Sequence, residues 1–418
     1  MIKVYNSNIN GIIEPPPSKS YTHRAVAIAS LADGRSIISN PLIGRDTLAT
    51  INGCRLLGSE ITLDKDLRIY GRRYFDKGDR NIDAQNSGTT IRFLIAMSAL
   101  VREGKTILVG DKSLMKRPMQ PLVNALSQLG VKCYTTDGKP PVIVYGGGIK
   151  GGKADIQGDV SSQFISALLF SSIYAENDVM LNITSEQVSR PYIDATILVM
   201  NRFNVDVENQ EYRYYHIKRQ EYKPTDFRVP EDFSSIAMLL AAGALLGSIE
   251  VKADLSIPQP DARIIDILKN MDADIKVYDN RIKVNRRDRL SDIDVNLSDT
   301  PDLLPVVSIL ALNARDVTIR GVKHARVKES DRIAIIANEL KKLGVYIKEF
   351  EDGLEIKSSG SIKNARLDAH DDHRLFMAFF IAGMLAKECI IDGEESVDVS
   401  YPNFITDMKK IGARVEIV

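Results

Sequence analysis

Asn86-Ser87-Gly88-Thr89-Thr90-Ile91-Arg92 opens the stretch whose reading decides the fold. This short polar turn leads into an apolar run, Ile91–Leu100, then a polar break at Glu103-Gly104, then the β-branched run Thr106-Ile107-Leu108-Val109. The apolar run is hydrophobic almost all round, as a buried helix is, and the β-branched run reads as a strand. The same order follows five other turns: Ser18-Lys19-Ser20, Ser161-Ser162-Gln163, Asp232-Phe233-Ser234-Ser235, Thr300-Pro301-Asp302 and Asp371-Asp372-His373-Arg374. The turns start about 70 residues apart, the length of a supersecondary repeat.

Each repeat has a second half, a further helix that exits into a strand. The exits are Leu57-Gly58, Leu129-Gly130, Asn204-Val205, Asp272-Ala273, Leu343-Gly344 and Ile411-Gly412. Glycine closes a helix by taking the left-handed conformation, and Gly58, Gly130, Gly344 and Gly412 are placed to do so. The sixth repeat lacks a final hairpin, while Met1–Ile13 supplies a strand without a repeat of its own. The economical expectation is that both chain ends meet in one domain, 1–17 plus 230–418, with 18–229 inserted. Pro15-Pro16-Pro17 and Pro230 would restrict the backbone at the two crossings. The competing reading is a βα alternation within one large α/β fold.

At 418 residues the chain exceeds one ordinary core. Lys plus Arg and Asp plus Glu both number 55, so formal net charge is zero and no global field attracts nucleic acid or anionic lipid. An anion site must come from a local cluster. No apolar run is long enough to span a membrane, and MIKVYNSNIN reads as a strand rather than a signal peptide. Cys54, Cys133 and Cys389 are far apart and lack zinc spacing, which favours reduced thiols and a cytoplasmic location. With no Trp and five His, no metal site is expected.

A helix N-terminus presents free N–H groups and partial positive charge, so each opening turn is a potential anion cradle. The plain alternative is an N-cap. Ser18-Lys19-Ser20 places Lys19 at a helix start, with Arg24 on the face of Ser20. In the second turn Gly88 lets backbone approach a ligand, and Arg92 stands on an otherwise apolar helix. Ser161-Ser162-Gln163 offers neutral groups suited to hydroxyls and phosphate oxygens. The second-half turns carry charge as well. Met115-Lys116-Arg117-Pro118 and Val188-Ser189-Arg190-Pro191-Tyr192 each place Pro at an expected first helical position. In Arg326-Val327-Lys328-Glu329-Ser330-Asp331-Arg332 the pair Lys328 and Arg332 is like-charged at i,i+4, which an anion between them would relieve. Gly146-Gly147-Gly148 and Gly151-Gly152 precede a strand, not a helix, so they read as a hairpin connection rather than a nucleotide loop.

Taken together these turns resemble the EPSP synthase (3-phosphoshikimate 1-carboxyvinyltransferase) family of enolpyruvyl transferases over essentially the whole chain. The family's markers stand here as Pro-Pro-Ser-Lys-Ser with Arg24, Asn-Ser-Gly-Thr-Thr-Ile-Arg, Lys-Arg-Pro-Met, Ser-Ser-Gln-Phe, Arg-Val-Lys-Glu-Ser-Asp-Arg and Asp-Asp-His-Arg. Any one is a weak pattern, but six in order on a matching repeat are specific. The resemblance implies an α/β fold of two domains, each of three βαβαββ repeat units with buried helices, an inside-out α/β barrel with the active site in the interdomain cleft. It implies transfer of the enolpyruvyl group of phosphoenolpyruvate (PEP) to the 5-hydroxyl of shikimate 3-phosphate, with phosphate released through a tetrahedral adduct. It implies no metal or cofactor, no nucleic-acid or membrane partner, and a monomer. Carried over by motif, Lys19, Ser20, Arg24, Ser161, Ser162, Gln163, Ser189, Asp302 and Lys328 would hold shikimate 3-phosphate. Lys19, Asn86, Gly88, Arg117, Gln163, Arg332 and Arg374 would hold PEP. The catalytic set would be Lys19, Asp302 as base on the hydroxyl and Glu329 as proton donor to the PEP methylene.

Two departures stand out from the family pattern. Val399, in Val399-Ser400-Tyr401-Pro402, occupies a usual Lys position, which predicts a missing PEP contact. His324 stands where Asn is common. The rival activities are transfer of enolpyruvyl to UDP-N-acetylglucosamine and an RNA 3′-phosphate cyclase. The first pairs its early Lys with Asn and carries a Cys before the residue matching Arg117. The second needs a nucleotide site and a basic surface. A binding protein without catalysis is the third reading, and Asp302, Glu329 and Lys19 speak against it.

Overall fold

The computed structural model describes all 418 residues. All six repeats form as the pattern predicts. Their helix pairs are α1 (Lys19–Leu31) and α2 (Arg45–Leu57), then α3 (Gly88–Ser98) and α4 (Gln120–Gln128), then α5 (Ser162–Ser172) and α6 (Arg190–Arg202). They continue with α7 (Phe233–Leu246) and α8 (Ile264–Asn270), α9 (Leu304–Leu310) and α10 (Arg332–Lys342), and α11 (His373–Gly383) and α12 (Phe404–Lys410). The opening helices are buried on nearly every side; in α11 each residue from His373 to Gly383 is buried. The second helices are amphipathic, as α10 shows by burying Ile333, Ile336, Ala337 and Leu340 while Lys341 and Lys342 face solvent.

Each repeat owns a four-stranded sheet of one design. In the second repeat Arg80–Asp83 runs parallel to Lys105–Val109, which pairs antiparallel with Lys139–Tyr145, itself hairpinned to Cys133–Thr136. A parallel pair needs a crossover, and α3 provides it. One face of each sheet is apolar and covers the buried helices, as in Val142, Val144 and Leu108.

The chain divides into two compact units, Met1–Pro16 with Glu231–Val418, and Pro17–Pro230. We call them the terminal and inserted units. In the terminal unit α7, α9 and α11 pack on one another, within a continuous apolar core that includes Leu240, Val307 and Phe379. In the inserted unit α3 packs on α1 and α5, and Phe93 meets Phe170 edge-on at 4.9 Å. The inserted unit closes on itself where Ser18 N donates to Pro230 O at 2.8 Å.

Several expectations change in detail. Met1–Ile13 forms two strands rather than one, because Asn6-Ser7-Asn8 breaks it. Ile2–Tyr5 lies between Glu388–Asp392 and Val415–Ile417, replacing the hairpin strand that the sixth repeat lacks. Ile9–Ile13 runs parallel to Gly247–Lys252 and completes the fourth sheet. All six helix exits hold a left-handed residue: Asn204 (φ 66°) and Asp272 (φ 55°) do what glycine does at the other four. Short polar side chains tolerate that region better than other non-glycine residues. The Gly146–Gly152 stretch joins the strand Lys139–Tyr145 of one sheet to Gly152–Ile156 of the next, so it is a link between sheets, not a hairpin.

Candidate active site

In the inserted unit the opening turns hold cations against mostly neutral oxygens. Ser18 caps α1, accepting from Tyr21 N, and Lys19 follows as the first helical residue. Lys19 Nζ pairs with Asp46 Oδ2 at 3.1 Å. Arg24 is 2 % exposed and fully engaged. Its Nη1 donates to Ser20 Oγ at 2.7 Å, Nε to Thr196 Oγ1 at 2.8 Å, and Nη2 to the Tyr192 carbonyl at 2.8 Å. Burial brings the Arg24 guanidinium down to about 10, against the pull of Tyr21 and Tyr192.

The second and third turns interlock. Arg117 Nη2 donates to Asn86 Oδ1 at 2.8 Å, and Asn86 Nδ2 donates to Asp111 at 2.7 Å. A Cβ on Gly88 would lie 2.8 Å from Arg117 Nη1, so glycine there leaves room for the guanidinium. Arg92 Nη1 donates to Gln163 Oε1 at 2.6 Å, and Gln163 Nε2 donates to Thr89 Oγ1 at 2.8 Å. Ser161 caps α5, and Ser162 and Ser189 are buried. Ser189 precedes α6 with φ 55°, a left-handed serine just outside the helix.

The terminal unit concentrates opposite charges. Arg332 is 1 % exposed and bonds three carboxylates. Its Nη1 donates to Asp302 Oδ1 at 2.8 Å, Nη2 to Glu329 Oε2 at 2.7 Å, and Nε to Asp372 Oδ2 at 2.7 Å. Arg374 Nη2 meets the other Asp302 oxygen at 3.0 Å, and Lys328 Nζ stands 3.8 Å from Oδ1. Asp372 also caps α11, accepting from Arg374 N. A guanidinium fork matches carboxylate geometry, and buried charge persists only when so paired. Burial would raise the Asp302 carboxyl, but Arg374, Lys328 and Arg332 outweigh it and hold it well below the usual carboxylate range. Burial lowers the Arg332 guanidinium, while Asp372, Glu329 and Asp302 more than reverse that. His324, on the 3-10 turn Lys323–Val327, is pushed down to about 4 by burial and by Lys328.

The structure thus brings together Asp302, Lys328, Glu329, Arg332 and Arg374 in one unit. In the other it joins Ser20 to Arg24, and Asn86 to Arg117. Lys328 lies before α10 rather than on it, so the i,i+4 repulsion expected from the sequence does not arise. Pro118 is not a first helical residue either: Arg117 is extended, α4 begins at Gln120, and the helix-start proline is Pro121. Val399 ends the 3-10 turn Glu394–Val399 and is 7 % exposed. Asp46, Asp111 and Asp261 were not singled out from the sequence. An acid close to an arginine in a second-half turn, as in Arg45-Asp46 and Asp261-Ala262-Arg263, was the local signal for Asp46 and Asp261.

Six sheet-and-helix repeats, with helix-opening turns that gather cations and acids, define the enolpyruvyl transferase fold. The enolpyruvyl transferase NikO from Streptomyces tendae shares it at TM-score 0.78 and 15% identity, over 99% of this chain and 98% of that one. The EPSP synthase of Acinetobacter baumannii superposes at TM-score 0.82 with 26% identity, covering 100% of this chain and 99% of that one. The sequence profile of EPSP synthase (3-phosphoshikimate 1-carboxyvinyltransferase) matches residues 4–408. The 3-phosphoshikimate 1-carboxyvinyltransferase of Nitrosopumilus maritimus is 46% identical over 419 residues, 99% of either chain. That of Methanocaldococcus jannaschii is 44% identical over 417 residues, 98% of this chain and 97% of its own. The chain belongs to the EPSP synthase family, and it is an enzyme.

Proposed function

We propose that the protein transfers the enolpyruvyl group of PEP to the 5-hydroxyl of shikimate 3-phosphate and releases phosphate. One observation carries the reading beyond family membership: Asp302 is held by Arg332, Arg374 and Lys328, cations suited to the carboxylate and phosphate of an incoming anion. PEP is assigned to Lys19, Asn86, Gly88, Arg117, Gln163, Arg332 and Arg374. Shikimate 3-phosphate is assigned to Lys19, Ser20, Arg24, Ser161, Ser162, Gln163 and Ser189, with Asp302 and Lys328.

The charges give these groups an order of action. A carboxyl held down by three cations is a poor base. Substrate anions that draw Arg332, Arg374 and Lys328 toward themselves weaken that hold and raise the basicity of Asp302. Asp302 then accepts the proton of the 5-hydroxyl as its oxygen bonds to C2 of PEP, while Glu329 gives a proton to the methylene carbon. In the tetrahedral adduct C2 carries both oxygens. Glu329, now a carboxylate, takes a proton back from the new methyl group, which restores the double bond as the C2–O bond to phosphate breaks, and the proton on Asp302 leaves with the phosphate. Lys19 and Arg117 offset the charge on the departing phosphate. The three cysteines are free and buried, which fits the reducing cytoplasm.

The test is phosphate release when purified protein is mixed with PEP and shikimate 3-phosphate. Turnover is expected with that pair. Turnover only when UDP-N-acetylglucosamine replaces shikimate 3-phosphate would overturn the assignment.

A further inference from the structure

The fourth opening turn carries none of the residues assigned above, yet it reaches the charged cluster of its own unit. Asp232 caps α7, accepting from Ser235 N at 3.0 Å and Ser235 Oγ at 2.8 Å. Ser234 faces elsewhere, and its hydroxyl donates to Asp261 Oδ2. Asp261 lies on the 3-10 turn Pro260–Arg263 and is 2 % exposed. That turn packs on α7, and so do α11, which carries Arg374, and the 3-10 turn Pro301–Leu303, which carries Asp302. Asp261 therefore stands within electrostatic reach of Asp302, Arg374 and Asp232. Arg263, on the same turn, is directed to the Asn296 carbonyl at 2.7 Å.

Two carboxylates in the field of one arginine are not both fully stabilised by it, and Asp302, which Arg374 contacts directly, takes the larger share. Burial and the charge of Asp302 push the Asp261 carboxyl up to about 6, against the pull of Arg374 and Ser234. Asp302, with three cations, stays ionised. Such a split is how neighbouring carboxyls take different tasks near neutral pH.

We infer that Asp261 is a positioning residue: held by Ser234, it competes with Asp302 for Arg374 and so sets how readily Asp302 takes a proton from the acceptor hydroxyl. This rests on the assignment of Asp302 as base. Ionised Asp261 draws on Arg374 and raises the basicity of Asp302. Protonated Asp261 leaves Arg374 wholly to Asp302, and the base weakens.

The experiment measures kcat and both KM values from pH 5 to 8 for the wild type, Asp261→Asn and Ser234→Ala. Wild-type kcat should fall on the acid side around the Asp261 titration. Asp261→Asn keeps the shape and an acceptor for Ser234. It should lose that acid limb and turn over up to roughly tenfold more slowly at pH 7, the most that one pKa unit of basicity can cost. Its KM values should stay within about twofold, since Asp261 touches no substrate. Ser234→Ala removes a donor to the ionised carboxyl and should move the limb to higher pH. An unchanged acid limb in Asp261→Asn, or a change in KM alone, overturns the proposal. If Asp261→Asn does not fold, an unshifted limb in Ser234→Ala overturns it. Near-normal turnover in Asp302→Asn sinks the base assignment and this inference with it. An inactive Asp302→Asn beside an unchanged Asp261→Asn limb sinks the inference alone.

Discussion

The two units hold their most buried arginines in different company. In the inserted unit Arg24 rests on two hydroxyls and two carbonyls, and Arg92 and Arg117 reach side-chain amide oxygens. In the terminal unit Arg332 lies among Asp302, Glu329 and Asp372. Neutral oxygens orient the Arg24 guanidinium, while Lys19 of the same unit pairs with Asp46. Carboxylate partners compensate the Arg332 charge, so an anion reaching the terminal unit must compete with acids and in doing so changes their basicity. The difference lies in what each arginine would leave behind: neutral oxygens in one unit, carboxylates in the other.

That contrast can be broken in several ways. The largest expected effect is on chemistry: Asp302→Asn should cut kcat by about 10²–10⁴, the usual contribution of a general base. A steady-state assay near pH 7 measures it, and near-normal turnover would remove Asp302 from that role. Next is stability. Arg332→Met takes the guanidinium from three carboxylates, of which Asp302 keeps Lys328 and Arg374, and should cost about 3–5 kcal/mol, read as a lowered denaturant midpoint. Arg24→Met, equally buried, should cost only about 1–2 kcal/mol, because its partners are neutral and partly keep other hydrogen bonds. Equal losses would erase the distinction between the units.

Acid sensitivity sharpens it further. His324 titrates at about 4 in the folded protein, against an ordinary value of about 6.5. The unfolded chain therefore binds the extra proton first. The stability from neutral His324 is complete above about pH 6.5 and is lost as pH falls toward 4, a loss of about 3 kcal/mol. His324→Asn should flatten the stability–pH curve over that window, and an unchanged curve would contradict the assignment. The smallest effect concerns Val399. Val399→Lys should lower the KM for PEP by roughly fivefold, the scale of one partly solvated ion pair. An unchanged KM would show that another cation already serves.

Much of this was legible in the sequence because each repeat announces itself locally. Apolar helix, polar break and β-branched strand follow in a fixed order, and the motif residues lie at the turns. What stayed hidden depends on distant pairing. Asp46 matters because Lys19 reaches it across 27 residues, and Asp261 because Ser234 does the same. Asn204 and Asp272 concealed their left-handed geometry behind side chains that permit other conformations equally well. The break at Asn6-Ser7-Asn8 was too short to divide one strand from two by pattern alone.

The strand Ile2–Tyr5 has a consequence for synthesis. It is made long before one of its partners, Val415–Ile417, which lies at the far side of the inserted unit and of the rest of the terminal unit in chain order. At ribosomal rates the delay is on the order of tens of seconds. The inserted unit is complete once Pro230 emerges, so it can fold while the terminal unit still waits for its final sheet. An edge able to pair with a stranger stays open throughout that interval, and its length is fixed by how many residues separate the two strands.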